Sequence, residues 1–223
     1  MKWPEPEPFS MRALDLYKDQ SRGVRLHTRL RAFSAPLKAV VAAIPPQGSL
    51  LDVGCGHGLI ANEVALRNPG ARVLGIDLSE TKIASARASV GSRTNVEFRL
   101  APLEGVAEGG FGAVSLIDVL YLVPAASWER FLRTCFERLA PGGRFILKEI
   151  GTKPRWKFER LKLQEFVSTR ILRITKGDTM HFENGDGLRQ RLLGIGFEEV
   201  GVETLDRGYT SPHILLTARR PLW

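Results

Sequence analysis

Short apolar runs, separated by turn residues and helical stretches, dominate the pattern of this chain. Strands are predicted at residues 49–53, 72–78, 95–100, 144–150, 197–204 and 213–218, and a further strand with the turn that follows it at residues 111–124. Helices are predicted from about residue 59 and over residues 126–139. This alternation predicts an α/β fold, with a largely parallel sheet that carries helices on both faces.

The N-terminal segment and one internal segment predict further helices. Residues 1–46 predict a poorly ordered tail and then two helices that end at Pro45-Pro46, ahead of a main domain at 47–223. Residues 151–193 exceed what a connecting helix requires, and apolar positions recur at helical spacing between Leu163 and Ile174. We therefore predict a basic helical insertion over 151–193, which acts as a substrate lid or faces a membrane.

Candidate chemistry begins where the first strand ends, in the segment Leu-Leu-Asp-Val-Gly-Cys-Gly-His-Gly at residues 50–58. Glycines at a strand-to-helix turn allow a ligand to lie against bare backbone, because no Cβ intervenes. The helix that follows offers unpaired N–H groups at its N-terminus. The dinucleotide-binding pattern Gly-x-Gly-x-x-Gly is absent, because Leu59 or Ala61 stands where its third glycine is required.

The spacing Asp-x-Gly-x-Gly-x-Gly instead resembles motif I of the class I S-adenosylmethionine-dependent methyltransferases. Asp77 ends the next strand about 20 residues on, where a carboxylate can accept hydrogen bonds from a ribose. The fourth strand with Asp118, and the sequence Leu-Ala-Pro-Gly-Gly-Arg-Phe-Ile-Leu before the end of the fifth, are also typical of this family. The resemblance covers roughly residues 48–150.

This resemblance implies a Rossmann-like, seven-stranded, mostly parallel sheet whose last strand is antiparallel. It implies S-adenosylmethionine as cofactor and S-adenosylhomocysteine as product. The cofactor-binding residues that it implies are Asp52, Gly54, Cys55, Gly56, Gly58, Asp77, Leu78, Leu103 and Asp118. Many family members carry an aspartate after strand three that accepts from the adenine amino group. Ala101-Pro102 stands here instead, so adenine recognition is expected to rest on apolar contacts, backbone or Glu104.

Candidate residues on the acceptor side are less sharply defined. Tyr121 occupies a rim position that faces the methyl-transfer site in the family pattern, and it is predicted either to orient the acceptor or to serve in packing. His181 is the second catalytic candidate and His213 a further possible base, although each also fits an ordinary loop or strand histidine. Lys148 and Glu149 are expected to border the acceptor pocket.

Composition narrows the functional classes. The chain has 223 residues and a formal net charge of +8, and the charge is concentrated in two basic stretches, 22–38 and 153–176. Its two cysteines are expected to be free thiols, and with four scattered histidines they suggest no metal site. Neither a membrane span nor an apolar signal core is evident, which favours a cytoplasmic protein.

Three functions remain open at this point. The first is methyl transfer to a small-molecule or lipid-like acceptor, with the basic segment 153–176 in peripheral contact with the anionic inner face of a membrane. The second is RNA methylation, with the basic stretches contacting phosphates. The third is a module that has kept the fold and lost the chemistry. For the basic segment alone, a lid with a solvated face is a further interpretation.

Overall fold

A computed structural model describes residues 10–157 and 181–223 of the protein. Seven strands form one sheet in the order β3-β2-β1-β4-β5-β7-β6. The strands are β1 (Ser49–Val53), β2 (Arg72–Asp77), β3 (Val96–Leu100), β4 (Phe111–Ile117), β5 (Leu139–Ile150), β6 (Glu198–Thr204) and β7 (His213–Arg219). Strands β1 to β5 pair in parallel, and β7 runs antiparallel to both of its neighbours. The predicted fold class is therefore confirmed.

Helices cover both faces of the sheet. They are α1 (Met11–Asp15), α2 (Arg22–Ser34), α3 (Leu37–Ala43), α4 (Leu59–Arg67), α5 (Glu80–Ala88), α6 (Trp128–Arg138) and α7 (Gly185–Ile195). Successive strand residues point to opposite faces, so Leu50 packs in a core with α1, α3, α4 and α5. Leu51 packs in a second core with α6 and α7. The carboxyl ends of the parallel strands consequently meet at one open edge between these layers.

The N-terminal segment contains three helices where the sequence predicted two. Ser10 and Ser21 cap α1 and α2 through their side-chain oxygens. The break between α2 and α3 lies at Ala35, which is extended with φ −124° and ψ 150°. Pro36 follows it, and a proline disfavours helical backbone in the preceding residue. That local effect separates α2 from α3.

Strand β5 starts earlier than predicted, at Leu139. Its pairing with β4 changes register between Phe111 and Ala113, and Gly142 adopts a φ of 73°. The Pro-Gly-Gly sequence therefore forms an irregularity inside the strand.

Two predictions concern segments that the structure describes only in part. Most of the basic insertion, and most of the membrane-facing stretch within it, lies outside the described residues. Among the helices that are described, none is long and apolar enough to cross a bilayer. The division of the chain at residue 46 stays a prediction.

Candidate active site

The glycine loop leaves β1 with a backbone that requires glycine. Gly54, Gly56 and Gly58 have φ values of 70°, 57° and 81°, a region that other L-residues rarely adopt. A Cβ on Gly54 would lie 2.3 Å from Cγ2 of Val119, so the loop after β4 approaches it closely. At Gly56 a Cβ would meet nothing within 4 Å. The middle of the loop is thus open, as a surface that takes a ligand must be.

Asp77 joins this loop to the end of β2. Its Oδ2 accepts from the Gly56 N–H at 2.9 Å, and its Oδ1 accepts from the Ser79 N–H at 2.8 Å. Ser79 in turn caps α5, because its Oγ accepts from the Lys82 N–H. A carboxylate has about four acceptor positions, so both oxygens of Asp77 retain capacity for further hydroxyl donors. This arrangement is compatible with the predicted ribose contact.

Two adjoining cavities open at the carboxyl edge of the sheet. The first, which we call the cofactor cleft, has a volume of about 320 Å³. Its lining includes Asp77, Leu78, Pro102, Leu103 and Glu104. Apolar side chains therefore flank the carboxylate, and Glu104 lies where a polar contact to adenine was expected.

The second cavity, which we call the acceptor cavity, has a volume of about 230 Å³. Its polar lining includes His27, Arg31, Asp52, His57 and Tyr121. The two cavities share four residues: Gly54, Lys82, Asp118 and Leu122. The combined volume of the two cavities falls in the range of roughly 300–1,000 Å³ that is usual for small-molecule sites.

Asp52 is buried beneath the glycine loop. Its Oδ1 accepts from the Ser115 hydroxyl at 2.7 Å. Burial raises the pKa of Asp52 to about 7, and the neighbouring Asp77 adds to this effect. Cys55 of the same loop is a free thiol, and burial raises its pKa well above the usual value. A neutral thiol of this kind serves as a small packing group and not as a nucleophile.

Asp118 sits between the cavities within a cluster of charges. It adopts a φ of 56° directly after β4. Lys148 of β5 donates to both carboxylate oxygens at 2.7 Å, and Arg31 of α2 forms an ion pair with Oδ2. Burial opposes ionisation of Asp118, but the charges of Lys148 and Arg31 outweigh it and hold its pKa below the usual value. Asp118 thus stays anionic and ties α2 to the sheet.

Glu149, the next residue on β5, holds the loop that carries Tyr121. Its Oε1 accepts from the N–H groups of Val119 and Leu120, at 3.2 Å and 2.8 Å. Burial raises the pKa of Glu149 to about 8, and the nearby Asp118 adds to the shift. The sequence placed Lys148 and Glu149 at the pocket border; the structure shows that both are buried and act through Asp118 and this loop.

The catalytic candidates occupy different places. Tyr121 lines the acceptor cavity, and its ring stacks on Phe182 with centroids 6.0 Å apart. His181 donates its backbone N–H to the Tyr121 carbonyl at 3.3 Å, but it lines neither cavity. His213 is buried, its Nε2 lies 3.3 Å from the Ser34 carbonyl, and burial lowers its pKa to about 4. Of these three, only Tyr121 faces the acceptor cavity.

Two other histidines do face that cavity. The rings of His27 and His57 meet edge to face, with centroids 5.0 Å apart. Burial lowers the pKa of both, so both imidazoles are neutral at pH 7. Nδ1 of His57 is buried and has no hydrogen-bond partner among the described residues.

Sequence reasoning missed three polar residues that line the acceptor cavity: Thr28, Arg31 and Lys82. His27, Thr28 and Arg31 are spaced so that they share one helical face, which is a detectable signal. That spacing does not show whether this face of the helix points toward the protein or toward solvent, because the orientation depends on contact with Asp118, which is distant in sequence.

With this geometry, the chain belongs to the family described as methyltransferase domain, which matches residues 25–202. Its fold is that of the class I S-adenosylmethionine-dependent methyltransferases, as the motif resemblance implied. The residues present suit that cofactor, because an acid, open glycine backbone and apolar walls line one continuous space. The predicted cofactor is confirmed at the level of the family.

Individual relatives are moderately similar. A ubiquinone biosynthesis O-methyltransferase of Sinorhizobium fredii is 31% identical over 159 residues, which are 71% of this chain and 61% of the relative. One from Pseudomonas putida is 36% identical over 161 residues, covering 70% and 65%. The chain thus spans less than two thirds of the length of these relatives. Magnesium protoporphyrin IX methyltransferase of Synechocystis PCC 6803, crystallised with SAH, has a TM-score of 0.64 at 20% identity, covering 94% of this chain and 93% of that one.

Proposed function

We propose that this protein transfers a methyl group from S-adenosylmethionine to a hydroxyl oxygen of a small, lipid-like acceptor. The observation that carries the proposal is the acceptor cavity, which adjoins the cofactor cleft through Gly54, Lys82, Asp118 and Leu122. Oxygen is favoured as the accepting atom because the curated relatives described above are named O-methyltransferases. The exposed Leu122 at the shared rim favours an acceptor with an apolar part.

The cofactor supplies an activated methyl group, so the protein's main task is to align and hold its ligands. We assign the ribose to Asp77 and the adenine to Leu78, Leu103 and Glu104. The amino-acid end is assigned to the backbone of the glycine loop, which lines the acceptor cavity through Gly54, Cys55 and Gly56, so this end of the cofactor and the acceptor share that cavity. Asp52, which is buried under the glycine loop, is assigned to supporting that loop. Asp118 lines both cavities and is assigned to the place where the cofactor and the acceptor meet. These roles follow from the lining of the cleft and from the motif resemblance.

A hydroxyl acceptor must lose its proton, and the acceptor cavity offers suitable groups. His27 and His57 are neutral at pH 7 and can accept a proton, so we assign the base to this pair in preference to His181 or His213. Arg31 and Lys82 supply positive charge that favours a developing oxyanion. Tyr121 is assigned to orienting the acceptor.

A label-transfer assay tests the proposal. Protein, methyl-labelled S-adenosylmethionine and host extract are incubated, and the organic, RNA, protein and polar fractions are counted; a panel of lipophilic phenols is tested in parallel. We expect label in the organic fraction and in at least one phenol. We expect His27→Gln to lower the rate by about 10²-fold or more and Tyr121→Phe by roughly tenfold, while the control His181→Gln leaves it unchanged.

Label in RNA alone would reject the acceptor class and support phosphate contacts by the basic stretches. Cofactor binding without label in any fraction would support the module that has lost its chemistry. The proposed peripheral membrane contact through 153–176, and with it a place at the inner face of the membrane, stays part of this proposal, because most of that segment lies outside the described residues.

A further inference from the structure

Helix α2 has an inverted distribution of polar and apolar side chains. A helix on the surface of a globular protein normally turns its apolar stripe toward the core. In α2 the face toward the protein carries His27, Thr28 and Arg31, and Thr28 is its buried residue. The large apolar residues of this helix therefore have to be sought on the opposite face.

That outward face carries an apolar stripe. Leu26, Leu30 and Phe33 are 60%, 59% and 71% exposed. They follow one another at i, i+4 and i+7, which places them on one side of the helix. Isolated exposed apolar residues are common on protein surfaces, but an aligned row that includes a phenylalanine marks a contact surface.

Positive charge borders this stripe. Arg22, Arg25 and Arg29 lie on the same helix, next to the apolar row when the positions are projected at 100° per residue. No aspartate or glutamate occurs between Asp19 and Asp52 in the sequence, so this charge has no acidic partner within the segment. A surface of this composition is complementary to an anionic one.

We propose that α2 is an interfacial helix that docks the protein on an anionic lipid surface. Leu26, Leu30 and Phe33 enter the boundary between headgroups and acyl chains, and Arg22, Arg25 and Arg29 contact the phosphates. This surface differs from the basic segment 153–176. The polar face of the same helix lines the acceptor cavity, so docking would hold that cavity close to the bilayer, where a lipid-like acceptor resides.

Sedimentation of the full chain with vesicles tests this proposal. Wild-type protein is expected to bind vesicles of phosphatidylcholine with 30% phosphatidylglycerol on the order of 10²-fold more tightly than pure phosphatidylcholine, since three arginines contribute roughly fivefold each. Arg22→Gln/Arg25→Gln/Arg29→Gln is expected to remove that preference. Leu26→Ser/Leu30→Ser/Phe33→Ser is expected to weaken binding to both vesicles by at least about 10²-fold.

Two matched control variants remove exposed apolar side chains or exposed arginines that lie outside α2. Leu222→Ser/Trp223→Ser removes exposed apolar side chains beside Gly142, at the opposite edge of the sheet. Arg72→Gln/Arg130→Gln/Arg207→Gln removes three exposed charges outside α2. Both control variants are expected to bind vesicles to within threefold of wild type. Melting temperature and calorimetric affinity for S-adenosylmethionine report whether any variant is misfolded.

Three results would overturn the proposal: wild-type protein that does not bind anionic vesicles, binding that survives the apolar triple substitution, or a wild-type dimer that this substitution converts to monomer. The last result would assign the stripe to a second copy of the chain. Vesicle binding does not require turnover, so this inference can fail or stand independently of the proposed methyl transfer.

Discussion

The cofactor cleft and the acceptor cavity adjoin, yet they are built in different ways. The cofactor cleft is lined by residues of the stretch from Val53 to Phe131, and its main polar contacts join Asp77 to backbone N–H groups of neighbouring turns. The acceptor cavity is held by side-chain charges from distant parts of the chain. Arg31 and Asp118 are 87 positions apart, and Asp118 and Lys148 are 30 apart. One site is local and backbone-based, and the other is assembled by the tertiary fold.

The largest expected effect is on the free energy of unfolding, and it tests whether ion pairs stabilise the acceptor side. Asp118→Asn keeps the shape of the side chain and tolerates the left-handed backbone. It leaves the fully buried Lys148 without its counter-charge, so we expect a loss of about 3–5 kcal/mol in the free energy of unfolding. Urea denaturation followed by circular dichroism measures this loss.

Arg31→Gln is the matched control for that substitution. The Arg31 side chain is 32% exposed, and the Asp118–Lys148 pair survives its removal, so we expect a loss of no more than about 1 kcal/mol. If the two variants were equally stable, the buried Asp118–Lys148 pair would not be what stabilises the acceptor side. The acceptor cavity would then not differ from the cofactor cleft in its dependence on charge.

The next effect concerns the cofactor side. Asp77→Ala removes the acceptor of the Gly56 and Ser79 N–H groups as well as the assigned ribose partner. Hydrogen bonds to a charged group contribute about 1.5–3 kcal/mol each, so we expect affinity for S-adenosylmethionine to fall by about 100-fold or more. Isothermal titration calorimetry measures this fall.

Glu80→Ala is the control for the cofactor side, because Glu80 is an exposed carboxylate three positions further along. Its affinity is expected to stay within twofold of wild type. Unchanged affinity in Asp77→Ala would refute the ribose assignment and leave the glycine loop alone as the basis of cofactor binding.

The contrast between the two sites also explains what the sequence could predict. The succession of strands and helices along the chain, the glycine loop and Asp77 depend on local periodicity, on residue type and on a fixed spacing, and all of these are visible in the sequence. The prediction that differed most from the structure was that of two helices in the N-terminal segment. The effect of Pro36 on Ala35 was a local signal that could have shown the break between α2 and α3.

The acceptor side could not be predicted with the same detail. The basic stretch 22–38 was visible, but the sequence does not show that Arg31 turns inward to Asp118 while Arg22, Arg25 and Arg29 do not. His213 was a plausible base by residue type, and only the burial of β7 and the contact with Ser34 remove it from the cavity. Such distinctions depend on contacts between elements that are far apart in sequence.

The smallest expected effect is on the pH dependence of the free energy of unfolding, and it tests whether Glu149 is protonated in the folded protein. The pKa of Glu149 is about 8 in the folded protein, because burial raises it above its usual value of 4.5. Between these values the folded state holds one proton more than the unfolded state, so stability is highest below the lower value and falls as pH rises. The slope is at most about 1.4 kcal/mol per pH unit for this group.

The interval from pH 6.5 to 7.5 isolates this contribution best. His213 acts in the opposite direction, since its folded pKa of about 4 makes stability fall as pH drops below 6.5. Within the chosen interval the folded state is neutral at this residue, while the unfolded state goes from about half protonated at pH 6.5 to largely neutral at pH 7.5; this part of the slope is common to wild type and to a Glu149 variant. Asp52, with a pKa of about 7, has the same sign as Glu149 and leaves a residual slope.

Glu149→Gln keeps an oxygen that can accept from the Val119 and Leu120 N–H groups but removes the titration. We therefore expect its free energy of unfolding to decline less steeply between pH 6.5 and 7.5 than that of wild type, by up to about 1.4 kcal/mol over the interval. Glu80→Gln should keep the wild-type slope. An unchanged slope in Glu149→Gln would mean that the loop carrying Tyr121 is held by an ionised carboxylate, and the acceptor side would then depend on fixed charge throughout.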